Sequence, residues 1–263
     1  MYIVKVGGGD AINLEGIVAD LAELDHSCLI VHGANALRDQ IAQQLGRQKT
    51  ILTSVSGYSS VYSDERAIDL IMMTYAGLRN KRLVELCHQH GINGVGLCGI
   101  DGKVIQGKRN KGIRVNEGGK TLIKRDFSGK PQSVNSELLS MLIQNGYTPV
   151  LSIPIIDEHN VAINSENDDI VNVLQDALKA PTIFQFIEAP GFLENKDDPN
   201  SIVKRMSPSA LEQHEERVEG RMKRKMLALG RLFQAGAAEV IISDGRTAHP
   251  VKDALAGKGT LIK

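Results

Sequence analysis

The chain has 263 residues, 42% apolar and 24% charged, so it can build a core of ordinary size, and intrinsic disorder is excluded. Its 31 basic and 31 acidic residues cancel, which removes any chain-wide field for nucleic acid or an anionic membrane and leaves electrostatics to local clusters. No run approaches the roughly 18 apolar residues of a bilayer span and the opening stretch lacks a signal-peptide layout, so a cytoplasmic protein is expected.

Tyr2 to Val6 is a short β-prone run ending in Gly7-Gly8-Gly9, after which Leu14, Ile17, Val18, Leu21 and Leu24 recur at helical spacing. Cys28 to His32 predicts a second buried strand that breaks at Gly33, and Leu37, Ile41 and Leu45 mark the next helix. From Glu65 to His90 the apolar spacing is helical, with an interruption expected near Gly77 because glycine disfavours helix interiors, so that two helices or one bent one would fit. A strand follows at Val95 to Ile100, then a turn at Asp101-Gly102 and a polar segment to Lys130 whose β-prone pieces predict hairpins. Helix is predicted at Val134 to Gln144, a single strand at Val150 to Ile156, helix at Asp168 to Leu178 and strand at Thr182 to Ile187. Lys196 to Ser201 is the most linker-like stretch. A short helix capped by Ser207-Pro208, a longer one over Glu219 to Gln234 and a last buried strand at Val240 to Ser243 complete the order. The alternation predicts an α/β fold, a three-layer α/β/α sandwich with a mainly parallel central sheet and binding loops at the carboxyl ends of its strands.

Cys28, Cys87 and Cys98 are odd in number, lack CxxC spacing and sit in apolar runs, so they read as reduced core thiols. Nothing completes a zinc-like set around His88 and His90, and no protein-bound structural metal is expected. Gly94-Val95-Gly96-Leu97-Cys98-Gly99 matches the dinucleotide fingerprint in letters, but a hairpin and not a helix follows it. Gly119-Lys120-Thr121 ends like a Walker loop, yet Arg114 stands where its first glycine is needed. Lys5-Val6-Gly7-Gly8-Gly9 differs, because a strand delivers a lysine and then glycines whose amides can approach phosphate oxygens, and His32-Gly33-Ala34-Asn35 repeats the arrangement on the next strand.

These residues resemble the amino acid kinase family, and within it the acetylglutamate kinases and the LysW-dependent aminoadipate/glutamate kinases. The resemblance runs from Lys5 to Thr260 through KVGGG, VHGA, AINSENDD at 162 to 169, APGFL at 189 to 193, GRMKRK at 220 to 225, SDGR and GKGTLI. It implies an ATP- and Mg²⁺-dependent phosphotransferase with a carboxyl acceptor and a carbamate kinase-like fold. Residues 1–178 would bind the acceptor and dimerise, and 179–263 would bind ATP, on one continuous sheet. It places Lys5 and Lys225 as catalytic lysines positioned by Asp168, the loops of Gly7, Gly8, Gly33 and Ala34 on the transferring phosphoryl group, and Asn164 on the substrate.

GLRNKRLVEL, GIDGKVIQGKRNK, RDFSG and GRMKRK are similar to the LysW-dependent branch, whose substrate hangs from a small acidic carrier protein. Between Lys103 and Lys130 nine basic residues stand against Glu117 and Asp126, a local charge of 9 − 2 = +7, so Lys108, Arg109, Lys111, Arg114, Lys124 and Arg125 are expected to dock that carrier. Val61 stands where the family carries an arginine for the substrate's α-carboxylate, and Arg66, about a turn and a half further on, is the candidate substitute. Glu188 stands where acetylglutamate kinases carry aspartate. A free-acid acetylglutamate kinase and a non-catalytic amino-acid or nucleotide sensor remain the alternatives.

Overall fold

The computed structural model describes residues 1–47, 50–55, 59–195, 197–198, 200–211 and 220–263, with the backbone alone described at 59, 60, 117 and 220–225. Its centre is an eight-stranded sheet. The strands are β1 (Tyr2–Val6), β2 (Cys28–His32), β5 (Gly94–Cys98), β10 (Thr148–Ser152), β13 (Thr182–Ile187), β14 (Arg205–Met206), β15 (Glu239–Asp244) and β16 (Thr260–Ile262). They lie in the order β14-β16-β15-β13-β1-β2-β10-β5, parallel throughout except where β15 meets β16.

Alternation along β1 decides what each face receives. Val4 and Val6 point, with Ile30, Phe184 and Ile241, into a core closed by α1 (Leu14–Ala22), α4 (Asn80–Gln89) and α8 (Pro250–Leu255). Ile3, with Leu29, Val31, Ile183 and Val240, points to the other core, closed by α5 (Ser136–Gln144), α6 (Asn167–Leu178) and α7 (Gly220–Gln234). Lys5 shares Ile3's parity, so its side chain emerges on the α6 side. Buried Asp20 on α1 ties the layers by accepting the first amides of α8, from Val251 at 2.9 Å and Lys252 at 3.1 Å.

Beside this sheet lies a four-stranded one, β12-β11-β6-β9, formed by β6 (Ile105–Arg109), β9 (Gly129–Val134), β11 (Ile155–Ile156) and β12 (Ala162–Ile163). Hairpins β3 (Ile51–Thr53) with β4 (Ser59–Val61) and β7 (Ile113–Glu117) with β8 (Lys120–Lys124) flank it.

Four boundaries depart from the sequence reading. The single strand expected over Val150 to Ile156 is two, in different sheets, because Pro154 has no amide with which to extend the ladder. Helix does not begin at Val134, which closes β9; Asn135 caps α5 by accepting from the Leu138 amide at 3.1 Å. Val240 to Ser243 is not the last strand, since β16 follows. At Gly77 the helix does not break: α2 (Asn35–Gln44) is succeeded after the hairpin by α3 (Glu65–Ile71), which runs on through wide π-helical turns at Met72–Arg79 into α4. The Thr74 hydroxyl donates to the Leu70 carbonyl at 2.6 Å, drawing that acceptor from the regular ladder, and the Asn80 amide reaches back to Tyr75. Glu219, Lys196 and Pro199 lie outside the described residues.

Candidate active site

Because β1 and β2 are parallel neighbours in register, Val6 against His32, the two glycine turns leave the sheet side by side. The Gly33 amide donates to Val6 O at 2.9 Å, and the Ala36 amide to Gly8 O at 2.9 Å. Glycine is required at both contacts. A Cβ on Gly8 would lie 2.7 Å from the nitrogens of Ala34 and Asn35, and one on Gly33 2.7 Å from the nitrogen of Gly8. Three amides therefore converge at the start of α2, where the helix adds positive potential and Ala34 offers no side-chain cap. Gly7 packs against the Phe186 carbonyl of β13 and hydrogen-bonds it at 2.9 Å. The Glu188 carboxylate folds across Gly9 and accepts from the Ala11 amide at 2.8 Å.

Lys5, its side chain 12% exposed, forms an ion pair with Asp168 in the first turn of α6. A cation this enclosed requires a partner. Asn167 anchors the same turn by donating from Nδ2 to His32 O at 3.0 Å, which brings α6 to the second glycine turn. The resemblance implies Lys5 and Asp168 as partners, and the structure brings the two side chains together, with Asn167 of the same motif beside them.

A second layer of contacts was not legible. His32 is fully buried, with Nδ1 3.3 Å from the Gly33 carbonyl oxygen and Nε2 3.2 Å from Asn80 Nδ2, which also donates to Val150 O at 2.9 Å. Burial pushes its pKa down to about 4, so the ring is neutral. The Tyr75 hydroxyl is hydrogen-bonded to the Asn35 side chain, and burial raises its pKa to about 12. The π-helical turns bring Tyr75 and Asn80, five residues apart, onto the two ends of the His32–Asn35 turn.

Asn164 belongs to a neighbouring network. Its Nδ2 donates to Ser63 Oγ at 3.0 Å, its amide to Phe127 O at 2.7 Å, and its carbonyl accepts from Gly129 N at 2.9 Å. Buried Asp126 accepts from Ser63 N at 3.2 Å and from Ser128 Oγ at 2.6 Å. Val61 ends β4 beside this network, whereas Arg66 is exposed on the first turn of α3. Lys108, Lys111, Arg114 and Arg125 are exposed on β6, β7 and the strand ends, with Lys124 and Arg109 half-buried. Lys225 falls within α7, but its side chain lies outside the described residues. Among the described residues no three His, Cys, Asp or Glu side chains cluster as a metal site, and no helix is long and apolar enough to cross a membrane. Cys28, Cys87 and Cys98 are buried and unpaired, and burial raises each thiol's pKa.

Residues 1–244 match the amino acid kinase family. Over its whole length the chain is 35% identical to the [LysW]-aminoadipate kinase of Thermus thermophilus, which it covers completely. It is 29% identical to the acetylglutamate kinase of Methanopyrus kandleri, again over 100% of both. Among solved structures, 99% of the chain superposes on 58% of the N-acetylglutamate synthase of Neisseria gonorrhoeae with a TM-score of 0.79 at 16% identity. The Giardia carbamate kinase matches 100% of the chain and 98% of its own with a TM-score of 0.67 at 17% identity. The paired glycine turns and the lysine beside them thus sit in the fold of a known group of phosphotransferases, and this chain belongs to the amino acid kinase family.

Proposed function

We propose that the protein transfers the γ-phosphoryl group of ATP to the side-chain carboxylate of 2-aminoadipate or glutamate attached through its amino group to a small acidic LysW-type carrier, producing an acyl phosphate for lysine or arginine biosynthesis. The observation that carries this reading is the Lys5–Asp168 pair set beside the abutting amide-lined turns of Gly8 and Gly33. Relatives named for the carrier-linked reaction support the acceptor.

An acceptor carboxylate is ionised at neutral pH, so no general base is needed. One of its oxygens attacks the γ-phosphorus in line. The new O–P bond forms as the bond to the β,γ-bridging oxygen breaks, and ADP departs with that electron pair. Negative charge spreads over the three equatorial oxygens, where Lys5, Lys225 and the amides of Gly8, Ala34 and Asn35 stabilise it, with Gly7 and Gly33, whose own amides are bonded to Phe186 O and Val6 O, allowing the close approach. Asp168 holds Lys5 in place, and Asn164 orients the acceptor. The converging amides fit a nucleotide's terminal phosphates, and Mg²⁺ brought in with that nucleotide would supply further charge neutralisation there. The exposed Lys108, Lys111, Arg114 and Arg125, with Lys124, present a basic face to the acidic carrier. Residues 1–178 receive the acceptor and pair with a second copy, and residues 179–263 receive the nucleotide.

Acyl phosphate trapped as hydroxamate distinguishes the acceptors. Turnover is expected with carrier-linked substrate and far less with free N-acetylglutamate. Activity on the free acid alone would identify an acetylglutamate kinase, and none on any carboxylate would leave the sensor.

A further inference from the structure

One member of the basic segment is set apart from the surface charges around it. Arg109 ends β6 half-buried, with its guanidinium 3.9 Å above the Phe127 ring centroid and its Nε donating to Asp126 O at 2.8 Å. Stacking and that single bond fix the plane and rotation of the group while using one of its five N–H donors. Among the described residues the two terminal nitrogens meet no acceptor. The nearby carboxylates are committed elsewhere: both oxygens of Asp126 accept from Ser63 and Ser128, and Glu158 accepts the main-chain amide of Arg109 at 3.0 Å. What remains is a rigid, open fork of the kind that takes a carboxylate with two parallel hydrogen bonds.

Its location gives the fork a use. Phe127, under the guanidinium, accepts from Asn164 through its carbonyl and donates its amide to Ser63 O at 2.7 Å, and Ser63 lies two residues past Val61. Asn164 and Asp168 are four residues apart, so the Cα of Asn164, which anchors this network, lies within about 14 Å of that of Asp168, the Lys5 partner. We propose that Arg109 binds the acceptor carboxylate that is not phosphorylated, replacing from β6 the guanidinium that β4 lacks at Val61. Arg109 is then a specificity-determining residue and not one more docking charge. The inference rests on the carboxylate-acceptor reading above.

The test uses the full-length enzyme and two acceptors, N-acylated glutamate or aminoadipate, free or carrier-linked, each with the α-carboxylate intact or converted to a carboxamide. Wild type is expected to favour the carboxylate strongly. In Arg109→Gln the KM for the carboxylate should rise roughly 30-fold or more with kcat nearly unchanged, while the carboxamide is used as before. Arg109→Lys, which keeps the charge but not the fork, should recover only part of the preference, guarding against a glutamine variant that folds poorly. The loss should be equal at low and high ionic strength, whereas a docking charge would weaken binding in a salt-dependent way. Equal losses on carboxylate and carboxamide, or no loss, would overturn the assignment of Arg109 while leaving the kinase reading intact. Failure of the wild type to phosphorylate any carboxylate would overturn both.

Discussion

His32 sits one residue before the glycine that abuts Gly8 at the proposed phosphoryl site, and it is packed too deeply to carry a proton. Its pKa is about 4 in the fold against an ordinary 6.5, so between those values the unfolded chain binds a proton that the folded chain refuses. Stability is therefore complete above about pH 6.5, declines as pH falls towards 4 and is flat in this respect below it. The slope contributed by one such group reaches at most about 1.4 kcal/mol per pH unit. Urea unfolding at pH 7 and pH 5 should show a loss that is smaller in His32→Asn; identical pH dependence in the two proteins would contradict it. At this scale the sequence showed Lys5 and the paired glycines, because strand, glycine loop and helix leave a local pattern, whereas Asp168 was implied only by the family resemblance. It did not show the roles of His32, Ser63 or Asp126, and it gave Arg109 only as a docking charge, since each acquires its partner from another segment.

Among the elements, the π-helical stretch at Met72–Arg79 has the clearest consequence. Its wide turns place Tyr75 on Asn35 and Asn80 on His32, so one helix braces both ends of the second glycine turn. Such turns concentrate at functional sites because they re-aim side chains at a cost in regular hydrogen bonding. Tyr75→Phe removes only the hydroxyl and frees Asn35, so kcat is expected to fall about tenfold with the acceptor KM little changed. Steady-state kinetics on the variant checks this, and a change confined to thermal stability would reduce Tyr75 to a packing residue. The sequence reading expected an interruption near Gly77, as two helices or one bent one, and the chain runs on as one. Propensity alone supports the interruption, but tertiary bonds from Tyr75 and Asn80 override a penalty of about 1 kcal/mol. The hairpin β3–β4 was missed for a related reason, since three-residue strands carry too little alternation to register.

Across the whole molecule, the central sheet turns distant segments into one site. Lys5 leaves β1, Asp168 heads α6 some 163 residues later, and the glycine turns close between them because β1, β2 and β13 are parallel and in register. Strand and helix alternation made that architecture readable, and β16 escaped because it is a three-residue strand that returns antiparallel between β15 and the edge strand β14. The side sheet and its basic hairpin form a separate region, where Asn164 links the acceptor network to α6. On the proposed reading, in which the acceptor arrives on an acidic protein, this division puts charge outside for the encounter and a fixed guanidinium and lysine inside for the chemistry. The most direct measurement is single-turnover phosphoryl transfer to the carrier-linked acceptor by Lys5→Met beside the wild type. The rate should fall by a factor of about 100 or more while the variant stays folded and still binds nucleotide; transfer within a few-fold of wild type would contradict the assignment of the site.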